Sequence, residues 1–237
     1  MSDNTRIPLL NRLYLAAALF SGPETWFNCR LAAGLEACGY RTVLPQRDGF
    51  EFANLGRLLE GKLASEDIPQ VVQSIIYLLD AGFFLPRSDA VIANLDEPLD
   101  PGMIVEVCHA RQMGIPVIGF RTDVRTPYGL ASDPFGGMHF FPAYQCDAFV
   151  RLRMPCAEAE QAEGEWQTLL RLIDQAIKSS LARQTGKAGE TVSPLSSLAD
   201  KLFGGLEPLH SPESLHTLVE RCVAQQEQLR ALRPRLF

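Results

Sequence analysis

The sequence lacks the features that mark several classes of protein. Its 22 Lys and Arg residues against 28 Asp and Glu residues leave a net charge of −6, and a chain without a basic excess is a poor candidate for binding nucleic acid. It has no unbroken run of roughly 18 apolar residues, so we expect no membrane span. The first ten residues do not resemble a signal peptide. Hydrophobic residues still make up 46% of the chain, enough to form a core.

Apolar runs and helical periods alternate over the first two thirds of the chain. This alternation favours a parallel sheet with helices on both faces. Two stretches, 46–66 and 121–145, show no clear period and are predicted to be loops. We predict strands over 12–20, 40–45, 89–95, 115–120 and 146–152, and helices over 24–38, 68–79 and 101–113.

The pattern changes after residue 155. A long helix is predicted over 157–183, a polar linker rich in helix-breaking residues over 184–196, and further helices over 197–204 and 212–232. We therefore divide the chain into an α/β domain, residues 1–155, and a helical C-terminal extension, residues 156–237.

Several signals for cofactors are missing as well. The turns after the predicted strands carry neither G-x-G-x-x-G nor G-x-x-x-x-G-K-[ST], so nothing there would hold a dinucleotide or a nucleoside triphosphate. Glu106 and His109 have the spacing of half a di-iron site, but the four histidines are dispersed, and we predict no metal and no cofactor. The six cysteines include no C-x-x-C pair; we interpret them as reduced thiols, which predicts a cytoplasmic protein.

Acidic residues follow the predicted strands, at the edge where parallel sheets bind ligands. Glu106 stands among apolar neighbours in a helix, where a carboxylate is costly to bury unless it is paired or protonated; alternatively, it faces solvent. Asp100 suits a helix N-cap, and Asp80 suits a solvated helix end. Together, three carboxylates suit the cleavage of a glycosidic bond, with one of them as the nucleophile.

Several segments, in this order, resemble the nucleoside 2-deoxyribosyltransferase family, over roughly residues 12–152. The resemblance implies a flavodoxin- or Rossmann-like three-layer α/β sandwich, with a five-stranded, mainly parallel sheet and the helical C-terminal extension. The segments are LYLAAALF at 13–20, LPQRDG at 44–49, DAVIANLD at 89–96, the motif Asp100-x-Gly102-x-x-x-Glu106, and IPVIGFRTDVR at 115–125.

The resemblance also implies an activity, the exchange of the nucleobase on 2′-deoxynucleosides with retention, with free nucleobases as the second substrate. Glu106 would attack C1′ and form a covalent deoxyribosyl intermediate, and Tyr14 would hydrogen-bond its carboxylate and disfavour a 2′-hydroxyl. Asp80 and Asp100 would complete the catalytic set. Five residues would bind the substrate. Phe20 would form a wall beside the base, and Gln46 and Asp48 would lie next to the base. The other two are Asp96, at the end of the third strand, and Gly102, the glycine of the motif.

Two departures and two alternatives accompany this interpretation. Met103 replaces the usual Thr or Leu after the motif glycine, and residues 136–143 lack the Asn with which family members complete a neighbouring subunit's site. One alternative is a 2′-deoxynucleoside 5′-monophosphate N-glycosidase, a hydrolase, with a phosphate held at Ser21-Gly22. The other is a non-catalytic nucleotide-binding module. Because 121–145 is the kind of long loop that often forms an interface or a lid, we expect a homo-oligomer.

Overall fold

A five-stranded parallel sheet forms the centre of the molecule. The structure, a computed structural model, describes residues 11–183 and 194–231. Every strand pair is parallel, and the strands lie in the order β2-β1-β3-β4-β5. The sheet predicted from the sequence is confirmed. The strands are β1 Arg12–Ala16, β2 Arg41–Val43, β3 Ala90–Asn94, β4 Val117–Arg121 and β5 Ala148–Arg151.

Helices cover both faces of this sheet and make three layers. One face carries α1 and α7, and the other carries α3, α4, α5 and the last helices of the chain. The helices are α1 Gly22–Ala37, α2 Pro45–Asp48, α3 Phe52–Leu59, α4 Ile68–Tyr77, α5 Pro101–Gln112, α6 Phe140–Tyr144, α7 Ala159–Arg183, α8 Pro194–Phe203, α9 Pro212–Ala224 and α10 Gln226–Ala231.

Alternation along β1 decides which side chains meet which layer. Leu13 and Leu15 pack into the core beneath α1 and α7, whereas Tyr14 and Ala16 pack into the core beneath α4 and α5. Successive side chains of a strand point to opposite faces. Tyr14 is therefore directed to the same layer as Glu106 of α5.

Three sequence predictions need correction. The stretch 46–66 is not a loop, because it holds α3 and most of α2; both helices are short, and a short apolar run gives a weak periodic signal. The helix expected over 68–79 continues as a π-helical segment, Leu78–Phe84, and a short 3-10 turn, Leu85–Arg87. The loop 121–145 ends in the short helix α6.

The chain after β4 is held by a buried arginine. The Arg121 side chain is almost wholly buried, and its guanidinium pairs with Asp123 and donates to the carbonyls of Phe135 and Gly136. A buried guanidinium needs such partners, since an unpaired buried charge is costly. These contacts fix a stretch that has no hydrophobic period of its own.

The C-terminal extension covers both faces of the sheet. Its first helix, α7, buries Trp166, Leu169 and Ile173 beside α1, whereas α8 to α10 belong to the core on the opposite face. Residues 184–193 of the predicted linker lie outside the described residues, and 194–196 already belong to α8. The extension thus contributes to the same cores as the α/β domain.

One helical stretch of the described chain, Ile68–Arg87, is long and apolar enough by length and composition to cross a membrane. Its mean hydropathy is 1.4, and 56% of the window is buried inside the protein. Polar residues, among them Gln70, Gln73 and Asp80, interrupt the stretch. It therefore contains no unbroken apolar run, which was the sequence criterion for a membrane span. A buried core helix meets the same criterion, so this is weak evidence for a span.

Candidate active site

The start of helix α5 positions two of the predicted carboxylates. Asp100 is the N-cap: its Oδ2 accepts a hydrogen bond from the Met103 amide at 2.6 Å, and Pro101 occupies the first helical position. Gly102 lies beside this cap, and a Cβ there would stand 3.0 Å from Asp100 Oδ2. The motif glycine therefore leaves room for the capping carboxylate, and Glu106 follows on the next turns of the helix.

Glu106 is paired with Tyr14 across 92 positions of sequence. The Tyr14 hydroxyl donates to Glu106 Oε1 at 2.7 Å. Tyr14 is completely buried, and burial, followed by the nearby charge of Glu106, raises the pKa of its phenol well above the ordinary value. The phenol therefore keeps its proton and remains a donor, and Glu106 is partly buried rather than fully exposed to solvent.

Two carboxyl groups of this cluster hold their protons unusually strongly. Burial first, and then the charges of Asp80 and Asp100, raise the pKa of Glu106, the hydrogen bond from Tyr14 lowers it, and the net result is a pKa of about 8. Burial also raises the pKa of Asp80 to about 7. Because the charge of Asp80 acts on Glu106, the two titrate as a coupled pair. Near neutral pH, at least one of these two carboxyl groups is protonated in most molecules.

Asp80 stands on the π-helical segment Leu78–Phe84 rather than at a solvated helix end. Its neighbours Leu79, Ala81 and Phe83 are buried, and its own side chain is only partly exposed. π-Helical turns are rare and occur frequently at functional sites. The segment brings the Asp80 charge to bear on both Tyr14 and Glu106.

Other predicted site residues are engaged elsewhere. Asp96 accepts from the Thr122 amide at 2.6 Å, the Thr122 hydroxyl at 2.7 Å and the Asp123 amide at 2.9 Å, so it fastens the end of β3 to the end of β4. These contacts shape the strand edge, and the Asp96 side chain also borders the cavity at Asp100.

Gln46 and Asp48 likewise have partners within the protein. Gln46 donates to the Thr25 carbonyl at 3.0 Å and accepts from Asn28 at 3.3 Å, both on α1. Asp48 accepts from the Leu44 amide at 2.8 Å and pairs with Arg47. Their polar atoms lie on the side of the sheet edge near α1 and β2, and the structure does not place them in contact with Glu106.

A cavity of about 340 Å³ adjoins the cluster at Asp100. Phe20 is 80% exposed at this sheet edge, where its ring is free to contact a ligand. The amides of Phe20 and Ser21 both donate to the Glu24 carboxylate, at 2.9 and 2.8 Å, in a capping box. The cavity is lined by Ala18, Ser21, Pro23, Glu24, Phe27, Asn94, Asp96, Glu97, Pro98, Asp100 and Arg125.

Sequence reasoning did not select Glu24 or Arg125 as site residues. Glu24 occupies the Ser21 amide, one of the two at which a phosphate was expected, and the S-x-x-E pattern of a capping box at Ser21 was the available signal. Arg125 lines the cavity, donates to the Glu97 carbonyl at 2.6 Å and contacts Asp123 at 3.3 Å. It was visible only as one of several charged residues after β4.

The remaining candidate ligands and nucleophiles are the histidines and cysteines. Within residues 11–183 and 194–231, no group of three or more His, Cys, Asp or Glu side chains is arranged to hold a metal ion. All six cysteines are free thiols. His109 contacts the Tyr77 hydroxyl through Nε2 at 3.2 Å.

Comparisons with known proteins identify the family of the chain. No curated protein matches the chain. Among solved structures, the sugar isomerase domain of an RpiR transcription factor from Sphaerobacter thermophilus is 16% identical, with 73% of this chain and 75% of that chain covered and a TM-score of 0.36; similarity at that level indicates nothing about function. The family model described as nucleoside 2-deoxyribosyltransferase matches residues 13–140, which span Tyr14, Asp80, Asp100 and Glu106. The chain belongs to the nucleoside 2-deoxyribosyltransferase family.

Proposed function

We propose that the protein is a transferase that exchanges the nucleobase of 2′-deoxynucleosides through a deoxyribosyl ester on Glu106. The observation that carries the proposal is the 2.7 Å hydrogen bond from the buried Tyr14 hydroxyl to the Glu106 carboxyl, at the sheet edge beside Asp100. Tyr14 fixes one oxygen of the carboxylate, and the other oxygen is left to attack.

In the first half of the reaction, a Glu106 oxygen forms a bond to C1′ as the bond from C1′ to the base nitrogen breaks. The base leaves with the electron pair of that bond and takes a proton. In the second half, a nitrogen of another base forms a bond to C1′ and gives its proton to the group that protonated the first base, the ester bond breaks, and Glu106 regains its carboxylate. Two inversions at C1′ give overall retention.

Asp80 is our candidate for the proton donor. With a pKa of about 7, it holds a proton on a large fraction of molecules near neutral pH, which is the condition for a general acid. The reactive form of the pair has Glu106 ionised and Asp80 protonated, which is the minor of the two singly protonated forms because the pKa of Glu106 is the higher. The hydrogen bond from Tyr14 favours this distribution, because it lowers the pKa of Glu106.

Asp100 and the adjoining cavity would bind the sugar, and the Phe20 ring would pack against the base. The side chains at the cavity are rich in hydrogen-bond acceptors, with Glu24, Glu97 and Asp100 among them. Acceptors suit sugar hydroxyls, which donate. The roles of Gln46, Asp48 and Asp96 would then be indirect, through the backbone they hold.

One observation favours the second candidate, the hydrolase that acts on 2′-deoxynucleoside 5′-monophosphates. Arg125 brings a guanidinium to the cavity, and a guanidinium suits a phosphate. Against this, the amides before α1 are occupied by Glu24, and the carboxylates around the cavity would repel a phosphate. We therefore rank the nucleoside transferase first.

The decisive experiment follows the sugar. The protein is incubated with a 2′-deoxynucleoside, and its intact mass is measured for the gain of one deoxyribosyl group. The adduct is expected in the natural protein and in Glu51→Gln, an exposed carboxylate on α3's N-terminal side, and is expected to be absent in Glu106→Gln.

Product analysis then separates the candidates. Exchange of the base with a second free base supports the transferase. Release of the free base and 2-deoxyribose 5-phosphate from the 5′-monophosphate, without exchange, supports the hydrolase. Binding of nucleoside with neither reaction, unchanged in Glu106→Gln, would instead identify a nucleotide-binding module.

The cellular location and the oligomeric state of the protein are part of the same proposal. We infer a cytoplasmic enzyme of nucleoside salvage, consistent with its free thiols. We also infer a homo-oligomer, since Tyr128, Phe141 and Tyr144 on the 121–145 stretch are each more than 60% exposed, and large exposed aromatic side chains are typical of interfaces. Light scattering coupled to size-exclusion chromatography tests the assembly, and a monomer at high concentration would contradict it.

A further inference from the structure

The carboxyl group of Asp80 has no polar partner that fixes its position. Within the described residues, neither a hydrogen bond nor an ion pair is formed by its side chain, whereas Tyr14 holds Glu106 and the Met103 amide holds Asp100. Asp80 is therefore placed only by the backbone that carries it, the segment Leu78–Phe84. The elements packed on that segment determine where its charge stands.

Helix α8 of the C-terminal extension is the principal neighbour of this segment. Phe203, completely buried at the end of α8, packs its ring against Phe83, with the ring centroids 5.4 Å apart. Phe83 stands one turn after Asp80. Leu198, Ala199 and Leu202 bury further apolar surface from α8 in the same core.

A charged contact fastens the same two elements at their edge. Arg87, the last residue of the 3-10 turn that follows the segment, pairs with Asp200 of α8. Its guanidinium also lies 4.0 Å from the centroid of the Phe83 ring and donates to the Phe83 carbonyl at 3.0 Å. Arg87 thus joins α8 to both the ring and the backbone of Phe83.

We propose that α8 is a positioning element of the active site: Phe203 and Asp200 hold the π-helical segment so that Asp80 stays beside Glu106 and Tyr14. The proposal rests on the proposed function for its catalytic meaning, since it assigns the C-terminal extension to the placement of the proton donor. Phe203 contacts Phe83 and Asp200 contacts Arg87, so both act on the segment that carries Asp80 and are positioning residues.

The physical consequence concerns water. A segment that α8 no longer holds would move away from the core and let water reach Asp80, and the penalty of burial on its charged form would fall. The ionisable groups that act around it are Glu106 of α5 and Tyr14 of β1, and Asp200 of α8 is already paired with Arg87. A loosened segment therefore titrates closer to the ordinary pKa of an aspartate.

The test is a carboxyl ¹³C NMR titration of the full chain without substrate. The resonances of Asp80 and Glu106 are identified by their loss in Asp80→Asn and Glu106→Gln. Phe203→Leu and Asp200→Asn are the test variants; the second changes a half-exposed side chain, and the fold should tolerate it. The control is Ile173→Val, a buried residue of α7 in the core on the opposite face of the sheet, away from α8.

We expect the titration midpoint of Asp80 to fall by about half a unit or more in both test variants, and to stay unchanged in the control even though its thermal stability falls. An unchanged midpoint in both test variants, an equal fall in the control, or a midpoint near 4 in the natural protein would each overturn the proposal. The readout needs no turnover, so a protein that fails to exchange bases would refute the proposed function without altering this result.

Discussion

Replacement of Glu106 by Gln should stabilise the protein at alkaline pH and leave its stability unchanged in acid. Folding raises the pKa of Glu106 from 4.5 to about 8. The folded state therefore keeps a proton that the unfolded chain loses once the pH passes 4.5. Between these two values stability falls as the pH rises, because the folded state binds more protons. Glutamine resembles the protonated carboxyl and cannot ionise.

The size of the effect follows from the shift. Each pKa unit corresponds to about 1.4 kcal/mol, so the full difference sets a ceiling of about 5 kcal/mol. Glu106 is partly accessible and is coupled to Asp80, so that some of the cost is relieved by water and by the shared proton. We expect about 2–3 kcal/mol near pH 9, which is a rise in Tm of about 5 °C or more for a chain of this length.

The assay is thermal unfolding of the natural protein and Glu106→Gln at about pH 4.5, 7 and 9, across the window set by the two pKa values. Glu51→Gln, on an exposed side chain, is the matched control and should show no pH-dependent gain. An equal gain at every pH, or none at the highest pH, would show that the folded protein does not hold a proton on Glu106, and the argument from burial would fail.

Three further substitutions test other parts of the structure. Tyr14→Phe removes the hydroxyl that lowers the pKa of Glu106. The kcat/KM of base exchange should fall about 10–100-fold, the rate should reach half its maximum at a higher pH, and the enzyme should discriminate less against ribonucleosides. An unshifted pH profile would contradict the role of Tyr14. Asp96→Asn weakens the three hydrogen bonds that tie the β3 end to the β4 end, and urea unfolding should show a loss of about 2 kcal/mol; an unchanged midpoint would mean that these contacts are not needed. Gly137→Ala puts a side chain at φ +79°, where its Cβ would stand 2.6 Å from a neighbouring side chain, and should cost more than about 1 kcal/mol, whereas Gly22→Ala, with open space around it, should cost little. Equal losses in the two glycine variants would refute this account.

Much of the fold could be predicted from local pattern. Buried parallel strands read as short apolar runs, and Tyr14 to Ala16, Ala90 to Ala93 and Val117 to Phe120 are such runs. The N-cap role of Asp100 was also visible, because it depends only on Asp100 and the next three residues. Periodicity did not predict α3 or the π-helical turn, because a short helix and a change of helical pitch leave little periodic signal.

The sequence by itself determined the order of strands and helices and the spacing that sets Asp100, Gly102 and Glu106 on one helix start, since these depend on neighbours a few residues apart. The tertiary structure alone decided that Tyr14 donates to Glu106, that Asp80 stands close enough for its charge to act on both, and that α8 covers the segment beneath Asp80. Those contacts join residues 26 to more than 100 positions apart in the chain, and they depend on which apolar faces pack together. Burial at that junction, which no local pattern encodes, is also what raises the pKa values of the two carboxyl groups.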